Sequence, residues 1–202
     1  MNKKIFTNLE KKMKLFKSIT LISVTATLLL GSPSDKQNVE LKKTVELGNS
    51  SSALLLKTLG QNMKSHMQKG GVMDALNFCT SEAYSLTQNV NSKLDKGVEV
   101  KRISLKYRNP ANAPTDKEAE VLKSFESLNG ALPAHLIETV DEHTYKYYKP
   151  ITIDKQVCLK CHGDISKNIE LKKAIDEKYP ADKAIGYKIG DVRGAVVVTI
   201  KH

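Results

Sequence analysis

Val98-Glu-Val-Lys-Arg-Ile-Ser-Leu105, directly after Lys96-Gly97, is where the chain changes period. Upstream of it apolar residues recur at helical spacing. Within it apolar and polar side chains alternate, as a strand with one buried face requires. Helices first and strands later is the order of an α+β domain rather than of a small all-helical protein.

Working back from this stretch, Leu56, Leu59, Met63 and Met67 share one helical face, which predicts a long helix from about Lys36 to Lys69, broken near Gly48-Asn-Ser-Ser-Ser52. Gly70-Gly71 stops it. A second helix is expected from Val72 to Leu94, with Ala75, Leu76, Cys79, Ala83, Leu86 and Val90 on one side. Working forward, Asn109-Pro-Ala-Asn-Ala-Pro114 is a loop, and Thr115-Asp-Lys-Glu118 is a capping box opening a helix to about Leu128. Residues Leu136 to Asp154 read as two strands turning near Glu142-His143, and Lys167 to Lys178 as a short helix. A closing hairpin is expected from Ile185-Gly-Tyr-Lys-Ile189 and Arg193-Gly-Ala-Val-Val-Val-Thr-Ile200, turning at Gly190-Asp191. The sum is a curved, mainly antiparallel sheet behind long N-terminal helices.

Chemistry concentrates in Val157-Cys158-Leu159-Lys160-Cys161-His162-Gly163. C-x-x-C-H is the attachment sequence of c-type haem: Cys158 and Cys161 can each form a thioether with a vinyl group, and His162 is placed to be the proximal iron ligand. A structural zinc site needs a further ligand pair, whereas the only other cysteine, Cys79, is far upstream and has no C-x-x-C or H-x-x-x-H companion. A thioredoxin-like pair needs a strand opening into a helix within a βαβ unit, and the flanks show none. One covalent haem c is therefore the expected cofactor.

Such attachment takes place outside the bacterial cytoplasm, so an export signal is expected. Lys3, Lys4, Lys11, Lys12, Lys14 and Lys17 precede the apolar run Ser18 to Leu30, which is short for a membrane span. Residues 1–34 are read as a signal peptide, with an uncleaved membrane anchor as the alternative, and residues 35–202 as one domain in the periplasm. No cysteine directly follows the apolar run, which excludes a lipoprotein anchor. Residues 1–32 hold six lysines against one glutamate, so half of the formal net charge of +10 belongs to this segment. The remaining lysines are scattered without interleaved aromatics, which excludes a nucleic-acid site. A mildly basic rim suits an acidic redox partner or the haem propionates.

Ala75-Leu-Asn-Phe-Cys79 with Ala83, Val100-Lys-Arg-Ile-Ser-Leu-Lys-Tyr-Arg-Asn-Pro-Ala-Asn-Ala-Pro114 with Glu118, Tyr148-Lys-Pro150, Cys158-x-x-Cys-His-Gly163 and Gly194-Ala-Val-Val-Val198 occur in order over about residues 40–201. Together they resemble the Tll-type haem domain, a PAS-like c-type cytochrome family catalogued as a domain of unknown function. The resemblance implies a PAS-like antiparallel sheet with covalent haem, and Cys79 as the second axial ligand. Residues alone leave Met63, Met67, Met73, His66, His135 and His143 as competitors. They also leave Cys79 as an ordinary buried cysteine. Arg102, Tyr107 and Arg108 are suitable propionate donors, and Arg102 and Arg108 are taken as cofactor-binding residues.

Two functions follow. One is periplasmic electron transfer or redox buffering; the other is a redox or diatomic-gas sensor signalling to a partner protein. A six-coordinate iron offers no open position, so an enzyme is the third reading, with no catalytic residue assigned. The partner is an unidentified redox or signalling protein. The long first helix also suits a homodimer.

Overall fold

The computed structural model describes residues 33–128 and 130–202, and residues 37–202 form one compact unit. The predicted signal segment lies almost wholly outside the described residues. Among those described, no helix is long and apolar enough to cross a membrane.

Helix α1 spans Pro33–Ser81, α2 Ala83–Asn91, α3 Asp116–Ser127, α4 Gln156–His162 and α5 Ile169–Lys178. Strands β1 (Val98–Ile103), β2 (Leu136–Thr139), β3 (Thr144–Thr152) and β4 (Val192–Lys201) make a four-stranded sheet ordered β1-β4-β3-β2. Every neighbouring pair is antiparallel. The expected α+β class is what the chain adopts.

Alternation along the strands sends successive side chains to opposite faces. Val100, Tyr147, Val196, Val198 and Ile200 meet Leu55, Leu59, Phe78, Ala83 and Val90 of α1 and α2 on one face. Ile103, Tyr148, Ala195 and Val197 meet Leu122 and Phe125 of α3 on the other. Burying a leucine such as Leu55 is worth about 1.5–3 kcal/mol, so these two layers carry the fold. Lys101 and Arg102 are consecutive and therefore diverge. Lys101 reaches Glu118 at 2.9 Å on the α3 face, and Arg102 enters the space under α1 and α2. Glu118 is fully buried, closes the predicted capping box with Thr115, and pairs with Lys146 at 3.0 Å as well.

Three local expectations need correction. The first helix does not break near Gly48. That glycine lets the helix lie directly on Tyr147, whose ring a Cβ at position 48 would meet at 2.2 Å. The Asn49 carboxamide then accepts the Tyr147 hydroxyl at 2.6 Å. Helix 72–94 is instead two pieces, separated at Glu82 and ending at Asn91. Asn91 turns its side chain to the backbone of Val100 and seats β1. Finally, Ile185–Ile189 is not a strand. Its backbone hydrogen bonds go to the end of α4 rather than to β4: Gly186 donates to the Gly163 carbonyl at 3.0 Å and Tyr187 to the His162 carbonyl at 2.9 Å. Strand β4 pairs with β1 and β3, which are distant in sequence.

Candidate functional site

Helix α4 carries the C-x-x-C-H motif over its whole length, with His162 as its last residue. It ends there because Gly163 leaves the helix; a Cβ at 163 would lie 2.7 Å from the Leu159 carbonyl oxygen. No periodicity betrays so short a helix, and sequence reasoning left it out.

His162 Nδ1 lies 2.8 Å from the carbonyl oxygen of Ala184. A carbonyl only accepts, so Nδ1 bears the proton and Nε2 keeps its lone pair. This is how proteins orient a histidine that binds metal. Burial, aided by the nearby Arg193 and Arg108 charges, pushes the imidazole pKa down to about 3. The ring is therefore neutral. Tyr187 meets it edge-on, with centroids 6.1 Å apart.

Two adjoining cavities of ≈ 260 and ≈ 280 Å³ open beneath α1, between it and the sheet. Pockets for organic cofactors typically span about 300–1,000 Å³. His162, Cys79, Arg102, Arg193 and Met63 line both cavities, and Cys158, Cys161, Arg108, Met67 and Tyr179 line the larger. The sheet reaches the cavity through the end of β3, where the pairing with β4 slips between Ile151 and Thr152. Gly194 of β4 has φ 153°, and a Cβ there would sit 2.2 Å from the Ile103 carbonyl oxygen. Its missing side chain lets β1 and β4 close together under the cavity.

Cys79 keeps accessible surface, and that surface faces the cavity. Its thiol is thus reachable from the cavity. Desolvation pushes its pKa up, against the opposing pull of Arg102 and then Arg108. Desolvation raises that of Cys161 too, with Arg108 opposing. Among the described residues no group of three or more His, Cys, Asp or Glu converges to hold a bare metal ion. The cysteines and His162 instead surround a common space.

The arginines differ sharply. Arg108 is engaged by protein: Nε donates to Asp182 Oδ1 at 3.2 Å, and Nη2 to Asp182 Oδ2 at 3.1 Å, the Cys161 carbonyl at 2.9 Å and the Ala184 carbonyl at 3.3 Å. Arg102 has a buried Nε with no partner, the one such side-chain atom among the described residues. Leaving a charged donor unpaired is costly, so this atom calls for an acceptor from outside the chain. Arg193 was missed by sequence reasoning. Its Nη1 donates to Ser104 Oγ at 2.7 Å and the Lys106 carbonyl at 3.2 Å, and its guanidinium lies 5.4 Å from the Tyr187 ring centre. Its position just before Gly194 was the available signal.

The competing ligands separate as well. His135 stacks on Tyr147, His66 bonds to Asp74, and His143 sits at the β2–β3 turn, where its backbone N–H bonds to Asp141. Met73 packs with Leu76 and Ile165. Met63 and Met67 do line the cavity.

The crystal structure of the cyanobacterial heme-protein Tll0287 is similar, with a TM-score of 0.57 and 27% sequence identity over 85% of this chain and 97% of that one. No curated protein sequence matches. The Tll0287-like pattern itself covers residues 31–201, and on that extent this chain belongs to the Tll0287-like family.

Proposed function

We propose that this chain is an exported, PAS-like c-type cytochrome carrying one covalent haem, and that it transfers electrons in the periplasm. The observation that carries this reading is a single cavity lined by Cys158, Cys161, His162 and Cys79, into which Arg102 brings an unpartnered buried donor. The residues present fit a haem. Cys158 and Cys161 would tether it, and His162 Nε2 would meet the iron with Nδ1 held by Ala184. Cys79 would supply a further iron ligand as thiolate, and Arg102 would pair with a propionate. The group supplies one-electron cycling of its iron between ferric and ferrous states.

The chain's own part is electrostatic and steric. Neutral His162 needs no deprotonation before it binds metal. Arg102 lies beside Cys79 and favours its thiolate against the cost of burial. Leu59 and Phe78 of α1 and Ala83 of α2 give the cavity an apolar wall.

Expression with a cytochrome c maturation system tests the reading. The pigment should resist acid-acetone extraction, and Cys158→Ala or Cys161→Ala should weaken attachment. Cys79→Ser should keep the covalent haem, abolish the ferric thiolate signature in electron paramagnetic resonance and raise the midpoint potential. Extractable pigment would overturn the attachment, and an unchanged ferric spectrum in Cys79→Ser would return Met63 and Met67 to contention.

A further inference from the structure

Helix α1 is one helix by hydrogen bonding but two by direction. At Gly70 (φ −132°, ψ 16°) and Gly71 (φ 71°, ψ −155°) the backbone leaves helical geometry. Residues 72–81 then run as a separate arm that presents Ala75, Leu76 and Cys79 to the cavity. Two glycines alone would leave the angle of that arm soft, since glycine restricts the backbone least.

Something does fix it. His66, before the kink, has Nδ1 3.0 Å from Oδ2 of Asp74, after it. The carboxylate can only accept, so His66 donates. The same imidazole stacks on Phe78, with centroids 5.0 Å apart and planes 13° from parallel. Phe78 is 2% exposed in the core and immediately precedes Cys79. Gly70 is part of the device, because a Cβ there would come within 2.6 Å of the Asp74 Cβ. Leu76, at the cavity edge, also packs against Ile165, Leu171 and Ile175. The arm is therefore seated on α5 and strapped to the first part of α1 by one histidine.

We propose that His66 and Asp74 are positioning residues for the cavity thiol: their hydrogen bond across the Gly70–Gly71 kink, with His66 stacked on Phe78, sets where the arm holds Cys79. This inference rests on Cys79 being an iron ligand. Neither residue lines the two cavities. Loss of the strap should let the arm pivot on its α5 contact and weaken thiolate ligation while attachment through Cys158 and Cys161 persists.

The test uses the full chain matured with haem, with covalent haem content and the ferric thiolate signal measured on the same samples. His66→Ala and Asp74→Ala should each lower the ratio of thiolate-bound to thiolate-free ferric protein by about two- to tenfold, the factor an ordinary net hydrogen bond carries. Asp74→Asn keeps an acceptor oxygen and should stay near wild type. Asp74 has a side chain 37% exposed, so its variants remove little packing and keep the test available if His66→Ala fails to fold. Wild-type signals in both alanine variants, alongside loss of the signal in Cys79→Ser, would overturn the strap and leave the ligand assignment standing. An equal loss in Asp74→Asn and Asp74→Ala would overturn it too. An unchanged signal in Cys79→Ser would refute the ligand assignment, and the strap with it.

Discussion

Replacing Arg108 by Ala should be among the most destabilising single changes near the cavity. The Arg108 and Asp182 side chains are 10% and 6% exposed, so the pair is largely shielded from water. Asp182 uses both carboxylate oxygens on Arg108, and Oδ1 also accepts the Ala184 N–H at 2.9 Å. Removing the arginine leaves a buried carboxylate without its counter-charge, which costs about 3–5 kcal/mol. For a domain of this size that is a fall in Tm of about 6–20 °C, at roughly 2–4 °C per kcal/mol. Calorimetry of the haem-loaded protein reads it directly. The double variant R108A/D182N removes the stranded charge while its amide oxygen can still cap Ala184. It should recover at least about 1 kcal/mol relative to additivity, as residues in direct contact do. Covalent haem should remain in all three proteins. A loss below about 1 kcal/mol in R108A, or additive single changes, would refute this account of Arg108 as the brace joining α4 to the 182–184 segment.

Two further outcomes are expected. Arg102→Met should keep the covalent haem but lower the midpoint potential, because removing a nearby positive charge favours the ferric form by on the order of 1–2 kcal/mol; optical redox titration checks this, and an unchanged potential would place Arg102 away from the cofactor. Glu118→Gln should be less stable than wild type at neutral pH and converge with it in acid. Burial raises the Glu118 pKa, but the Thr115 N–H, Lys101 and Lys146 outweigh it and hold the carboxyl below its usual range. A depressed folded pKa contributes stability above the unfolded value of about 4.3, and that contribution fades as pH falls through the folded value. A difference in unfolding free energy that stays constant from pH 7 to about pH 3 would contradict the sign.

Local rules carried the sequence reading as far as local physics decides the structure. The capping box at Thr115–Glu118 and the β2–β3 turn follow from side chains a few residues apart, and both are present. Gly70–Gly71 reads as a stop between two helices, and the backbone does leave helical geometry there, but hydrogen bonding spans the kink. Gly48 was misread because close packing against Tyr147 looks, in one dimension, like a helix breaker. Residues 185–189 were misread because their partners, His162 and Gly163, lie more than twenty positions upstream. The motif on α4 named the donors His162, Cys158 and Cys161. It could not show that Asp182 claims Arg108, or that Arg193 stands at the cavity wall in addition to Arg102.

The strand order has a consequence for how the molecule comes together. Strand β4 is the last element in the chain, yet it lies between β1 and β3, pairing with β3 along nearly its whole length and with β1 from Ala195 to Ile200. Until residues 192–201 join, β1 has no neighbour and the β2–β3 hairpin is an isolated ribbon, marginal by itself in water. Even the end of the strand is fastened, with His202 bonded to Thr44 at 2.8 Å and its N–H to the His143 carbonyl at 2.8 Å. Closure of such a sheet requires β1 and β4, distant in sequence, to meet before their contacts offset the cost of closing the loop, which makes that pairing late. Arg193 of β4 lines the same cavity as Cys158 and Cys161, so that part of the cavity wall forms only when the strand joins.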